Sequence, residues 1–222
     1  MTVLYRTTAS PNFRQLFEDV YRSGPLAATE SLTKSLDEAA IAPVAGHPDY
    51  ERLAIGESEP GTVVVFFMDI RGFTKLAMAL DPSESIRILQ AALGASIVCI
   101  QHYAGHVADL TGDGIMAFFG GRSSTDEEDA FNAVSAASML MHGIKDVVRQ
   151  RLMDQGIETV RVGMGLEYGV VHWTRLGLPQ ANEVKAISGV SFLAGKLSTA
   201  RYTQSWQCKI GQNLADWLPD VY

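Results

Sequence analysis

Cysteine is scarce in this chain: two residues, Cys99 and Cys208, among 222. So little sulfur excludes a disulfide-stapled scaffold and supplies no paired thiolates for a zinc site. It fits a reducing compartment, and a cytoplasmic location is the expectation. Basic residues are also few, with 18 Lys and Arg against 25 Asp and Glu, a formal charge of −7, and no Lys/Arg run. A protein that tracks a phosphate backbone needs the opposite balance, so nucleic acid is not an expected partner. No stretch of about 18 consecutive apolar residues occurs, so no membrane span is expected. The N-terminus, MTVLYRTTASPNFRQLF, lacks the basic and apolar regions of a secretory signal. Internal repeats and low-complexity tracts are missing too, which leaves one compact catalytic-sized domain. What the chain does have is apolar content, 47% hydrophobic against 19% charged. At this length that suffices for a core without staples.

Residues 1–60 read as an N-terminal extension, with short helical patterns over Asn12–Tyr21 and Ala27–Ala40 split by Gly24-Pro25. Residues 61–222 read as the catalytic domain. It opens on Val63-Val64-Val65-Phe66-Phe67-Met68, a continuous β-branched and aromatic run of the kind a central buried strand needs, ending in Asp69. Asp81-Pro82 starts an amphipathic helix with Ile86, Leu89, Leu93, Ile97 and Ile100 at three- and four-residue intervals. Two short strands, His106–Leu110 and Ile115–Phe119, flank Thr111-Gly112-Asp113-Gly114, a hairpin signal. A second helix begins at Thr125-Asp126-Glu127-Glu128, a capping sequence with an acidic first turn, and Gly156 ends it. Strands follow over Thr159–Leu166, Gly169–Leu176 and Glu183–Ser188, then a helix over Val190–Ala200 and a strand-helix pair around Trp206–Trp217. The order is an α+β, ferredoxin-like βαββαβ core with extra strands and helices.

Asp69 and Asp113 fall at adjacent strand ends in such a core, where two carboxylates can clamp a divalent cation alongside substrate phosphates. Turn chemistry alone also accounts for an Asp-Gly pair at a hairpin tip, so Asp113 carries two readings here. An acidic residue closing an apolar strand, as Asp69 does, needs a reason. The glycine that follows, in Ile70-Arg71-Gly72-Phe73-Thr74, exposes backbone N–H groups to an anion.

Phe67-Met68-Asp69-Ile70-Arg71-Gly72-Phe73-Thr74 together with Leu110-Thr111-Gly112-Asp113-Gly114-Ile115-Met116-Ala117-Phe118-Phe119-Gly120 resembles the class III nucleotidyl (adenylate/guanylate) cyclase catalytic domain. The likeness continues through Arg161–Val171 and covers residues 61–210. It implies the class III cyclase fold and a head-to-tail homodimer with shared active sites. It implies further that Asp69 and Asp113 bind two divalent cations, Mg²⁺ or Mn²⁺, that Ile70 adds a backbone carbonyl, and that the triphosphate lies over Arg71, Gly72, Phe73 and Thr74. The implied reaction is attack of the ribose 3′-oxygen on the α-phosphate with loss of pyrophosphate, which needs chiefly alignment and charge neutralisation.

Two departures from the family pattern narrow the substrate. Members that use ATP carry a lysine four residues before the second aspartate and an Asp or Thr on a later strand. Here those positions hold Asp109 and Lys185, the polarity reversed. A carboxylate that accepts and an ammonium that donates suit uracil N3–H and O4, or guanine N1–H and O6, and mismatch adenine in its usual pose. An Asp109–Lys185 ion pair without substrate contact is the alternative. Where the family has Asn and, four residues later, Arg, this chain has Phe192 and Lys196. Lysine keeps the charge but not the guanidinium fork, and Arg201 could take the cationic role instead. With its reversed base pair the domain looks like the pyrimidine (uridylate) cyclases of bacterial Pycsar antiphage defence. That likeness implies a UTP substrate, a 3′,5′-cyclic UMP product and a separate effector that responds to it. Each site would combine Asp69 and Asp113 of one protomer with Asp109, Lys185 and Lys196 of the other. The alternatives are a guanylate or relaxed-purine cyclase and a catalytically silent, nucleotide-binding regulatory domain.

Overall fold

The computed structural model describes residues 11–34, 41–154, 156, 161–200 and 207–218. Its central strand, β1 (Ser58–Arg71), is longer than the apolar run that announces it. It pairs antiparallel with β3 (Gly114–Phe119) on one side and β4 (Arg161–Leu178) on the other. With β2 (Gly105–Leu110) and β5 (Ala181–Ile187) the path is β2-β3-β1-β4-β5, and a short β6 (Gln207–Ile210) lies parallel to β4. Strand-helix-strand-strand-helix-strand connectivity with this order is the ferredoxin-like core expected from the sequence.

Successive side chains of a strand face opposite ways, so β1 feeds two cores. Val64, Phe66, Met68 and Ile70 join the larger one, beneath α1 (Phe13–Lys34), α3 (Pro82–His102) and α4 (Asp126–Gly143). Val63 and Val65 join a smaller one with Tyr50, Phe118, Val171, Trp173, Val184 and Ala194, the last from α6 (Gly189–Thr199). Two residues of the smaller cluster that are far apart in sequence, Tyr50 and Trp173, stack with ring centroids 4.7 Å apart.

The helices start where the capping chemistry places them. Asp81 accepts the Ser83 N–H at 2.8 Å ahead of Pro82. Thr125 and Glu128 exchange the two bonds of a capping box, which satisfies donors that a helix start leaves open. α4 continues through a π-helical turn, Ile144–Val148, into α5 (Arg149–Met153).

Three sequence expectations are revised. In α3 Leu93 and Ile100 are buried and Leu89 and Ile97 pack against the core as expected, but the buried face widens through Ile88, Ala91, Ala92, Ala95 and Cys99, and Ile86 is 60% exposed. α1 supplies the reason: Val20 lies against Gly94, so the helix turns its small side chains to a close neighbour. α3 is long and apolar enough to cross a membrane, yet 56% of that stretch is buried inside the protein, the composition of a core helix. β4 is one strand rather than two, because Gly169 stays in register with Val63 and the ladder runs through it. The split of the N-terminal helical patterns at Gly24-Pro25 stands: α1 is two helices meeting at Gly24 (φ 79°, ψ 163°). Finally, residues 45–57 pack onto the sheet. His106 and Arg175 hold their carbonyls, and Ile55 bridges to Arg175. The Ala27–Ala40 and Thr159–Leu166 expectations fall partly outside the described residues, as does the start of the Trp206–Trp217 pair.

Candidate active site

β1 delivers Asp69 near its end, and the β2–β3 turn delivers Asp113. Asp69 stands opposite Gly114 in the ladder, and the Ile70 N–H donates to the Asp113 carbonyl at 3.1 Å. One backbone bond therefore fixes the two carboxylate-bearing residues side by side. Burial, and then the charge of Asp113, push the Asp69 carboxyl above its usual range, with the Arg71 guanidinium pulling against both. A half-buried pair of like charges is a site that a cation relieves. Among the described residues no cluster of three or more His, Cys, Asp or Glu side chains is poised to hold a metal. The donors are thus two carboxylates and backbone oxygen, a hard oxygen set that suits a divalent ion whose other positions go to water and substrate phosphates. Class III cyclases use divalent metal ions, and these residues fit such a group.

The turn after β1 is a backbone feature. Gly72 adopts φ 88°, a left-handed conformation that side chains resist, and caps α2 (Phe73–Ala79) without a side-chain bond. Phe73 is buried in the larger core. The Arg71 guanidinium is engaged elsewhere: it donates to the carbonyls of Ser198, and of Ala200 at 3.3 Å, at the C-terminal end of α6. What Arg71, Gly72 and Phe73 present to the outside here is main chain. Thr74 lies in α2, its side chain outside the described set.

Asp109 and Lys185 come together. Asp109 Oδ2 lies 3.9 Å from Lys185 Nζ, which also donates to Glu183 at 2.7 Å. Both side chains are about half exposed, at 51% and 42%, so their pairing is of the weak surface kind and opens at little cost. They stand at a cavity of about 280 Å³ backed by Met116, Phe118, Trp173 and Gly46. Trp173 is fully buried in the smaller core and also walls this cavity. Gly46 was not foreseen, because nothing in its neighbourhood signals chemistry.

On α6, the Lys196 ammonium sits 4.4 Å from the centroid of the Phe192 ring, and that ring is 64% exposed. Arg201 lies outside the described residues. Lys209 on β6 reaches the Ala200 carbonyl at 3.4 Å, so it joins Arg71 at the end of α6, where the helix dipole favours cations. α6 itself lies very close to the sheet: a side chain at Gly165 would collide with the Ala194 carbonyl and the Ser198 N–H.

A ferredoxin-like sheet with one aspartate on the central strand and its partner on the adjoining hairpin, and with a separate cavity that has a carboxylate and an ammonium at its mouth, defines a nucleotidyl cyclase catalytic domain of class III. The chain belongs to the adenylate and guanylate cyclase catalytic domain family, whose profile matches residues 56–182. It is 30% identical over 180 residues to a cytidylate cyclase of Escherichia coli, covering 78% of this chain and 38% of that one. It is 26% identical over 137 residues to a uridylate cyclase of Rhodovulum sp. (strain MB263), covering 61% of this chain and 57% of that one. Among solved structures it resembles the adenylyl cyclase CyaB from P. aeruginosa, at 28% identity and a TM-score of 0.67, over 74% of this chain and 84% of that one. The chain spans well under half the length of the cytidylate cyclases it matches.

Proposed function

We propose that this chain is a uridylate cyclase, converting UTP to 3′,5′-cyclic UMP and pyrophosphate, and that the product is a second messenger for a separate effector in antiphage defence. The observation that carries the reading is the reversed pair, Asp109 and Lys185, at the mouth of the 280 Å³ cavity. A uracil edge entering there replaces one weak ion pair with two bonds: N3–H donates to the Asp109 carboxylate and Lys185 donates to O4. The pyrimidine cyclases among its relatives support the same substrate class.

Two divalent cations, Mg²⁺ or Mn²⁺, supply neutralisation of the triphosphate charge when bound. Asp69, Asp113 and the Ile70 carbonyl hold them, and the main chain of residues 71–74 receives the phosphates. The base contacts orient the ribose so that its 3′-oxygen faces the α-phosphate, converting an encounter into an aligned attack. Lys196, set by Phe192, adds positive charge to the phosphoryl oxygens as charge develops there. Asp109 and Asp113 are four residues apart and serve opposite sites across a two-fold axis. Exposed Leu176, Leu178 and Ile187 on the β4–β5 hairpin, with Phe192 and Leu193 on α6, supply apolar surface for a second copy.

One observation favours a second reading, CTP as substrate: three of the relatives are cytidylate cyclases. Cytosine presents an amino donor beside a ring acceptor, the reverse of uracil, so Asp109 would accept from N4–H and Lys185 donate to N3 with the base shifted along the pair. Incubation of the purified chain with Mn²⁺ and each nucleoside triphosphate in turn, products resolved by mass, tests both. Cyclic UMP is the expected dominant product; cyclic CMP establishes the second reading. Cyclic GMP makes the domain a guanylate cyclase, and no product from any nucleotide makes it a silent regulatory domain.

A further inference from the structure

Asp109 and Lys185 sit on β2 and β5, the two outer strands of the path β2-β3-β1-β4-β5. No ladder joins those edges. What lies between them is residues 45–50, upstream of the residues the family profile matches. On the β2 side, the Ala45 N–H donates to the Val107 carbonyl at 3.3 Å. His106 Nε2, which must carry the proton because carbonyls only accept, is shared between Ala45 at 3.0 Å and Gly46 at 3.1 Å. On the β5 side, Gly46 is pressed against Val184: a Cβ added to it would stand 2.8 Å from both the Cβ and the carbonyl oxygen of Val184. Val184 immediately precedes Lys185. Beyond Gly46, His47 Nε2 bonds the Gly120 carbonyl at 2.9 Å, and its ring centroid lies 5.1 Å from that of Trp173. Gly46 and Trp173 both wall the cavity.

We infer that residues 45–50 form a strap that sets nucleobase specificity, tying β2 to β5 so that the Asp109–Lys185 gap is fixed and the cavity closed behind it. The inference rests on the base-pocket reading above and assigns its selectivity to a segment outside the matched family domain. Its physical basis is that a base edge is read by two bonds at once, so the spacing of the two readers must be held rigidly to reject a base of different size or pattern. Edge strands splay unless something spans them. The strap is tied to β2 through three hydrogen-bonded carbonyls and to Gly120, just past β3, through a fourth, and it meets β5 at one contact that admits only glycine.

The test is a competition assay on the full chain with equimolar ATP, GTP, CTP and UTP, products resolved by mass, and a melting curve to establish that each variant is folded. Gly46→Ala wedges β5 away from the strap, and His106→Ala releases the strap from β2. Each should cut the ratio of dominant to next product by about tenfold. His106→Gln, whose amide can donate to the same carbonyls, should recover part of that ratio. If Gly46→Ala does not fold, the His106 pair carries the test, since His106 is only half-buried. Unchanged ratios in the folded variants, or equal loss in His106→Ala and His106→Gln, overturn the strap. A wild-type chain without turnover or without a preferred base overturns the base-pocket reading beneath it.

Discussion

Asp109 and Lys185 stand on opposite edges of one sheet, yet their charged atoms approach to 3.9 Å, and the approach closes one side of a cavity rather than filling it. An ion pair half open to water adds little to stability. Lys185→Ala should therefore leave the melting temperature nearly unchanged while lowering kcat/KM for the preferred nucleotide by about ten- to a hundredfold, the cost of an unmatched polar edge. Steady-state kinetics with each of the four nucleotides checks it; an unchanged profile would remove Lys185 from the base contacts.

Asp69→Asn keeps the shape of the side chain and discards the charge that a cation needs. Turnover should fall by at least about a hundredfold. Circular dichroism should be unchanged, because the Ile70–Asp113 backbone bond that fixes this corner does not involve the side chain. A mutant with full product formation would sink the metal assignment.

For Lys196 the test is graded. Lys196→Ala should cost about a hundredfold in kcat, whereas Lys196→Arg keeps the charge and should retain most of it. Phe192→Leu removes the ring beneath the ammonium, an exposed cation–π contact of about 0.5–1 kcal/mol, and should lower kcat by about two- to fivefold. If all three variants matched the wild type, α6 would have no part in the chemistry.

Asp129 gives a pH signature away from the site. It is buried at the start of α4, its carboxylate accepts the Ser124 hydroxyl at 3.0 Å, and burial pushes it up to about 6. A folded value above the unfolded one of about 3.9 means that the native state binds the proton more readily; the stability this contributes is full below about pH 4 and lost as pH rises through about 6. Asp129→Asn is neutral throughout. Its denaturation free energy relative to wild type should shift in the mutant's favour between about pH 4 and about pH 7. A difference that stays flat across that range would contradict the burial of a titrating carboxyl.

The fold was largely legible because its signals are local. A six-residue apolar run, a capping box at Thr125 and an Asp-Gly hairpin each act within a few residues, and each lies where the periodicity puts it. The juxtaposition of Asp69 with the Asp113 turn was legible for the same reason, since a charge that ends a buried strand is anomalous in one dimension and the hairpin signal lies beside it. The strap was not. Its ties run from the His106 ring to carbonyls sixty residues away and from a hydrogen in place of a side chain to Val184, and backbone carbonyls carry no sequence identity. The hold of the Arg71 guanidinium on the end of α6 was not legible, because nothing in the sequence says which carbonyls a cation will meet until the helix is placed. The inward face of α3 depended on α1, whose approach no periodicity within α3 encodes.

The grip of Arg71 on the last carbonyls of α6 has a consequence for how two protomers work together. α6 carries Lys196, and in a two-fold arrangement that lysine serves the site whose aspartates belong to the other chain. In the proposed dimer, the strand leading into the phosphate turn of one site is tied by this guanidinium, alongside the packing of α6 on the sheet, to the helix that completes the other. Two sites joined in this way are expected to respond to substrate as a coupled pair, which a Hill slope departing from one would report.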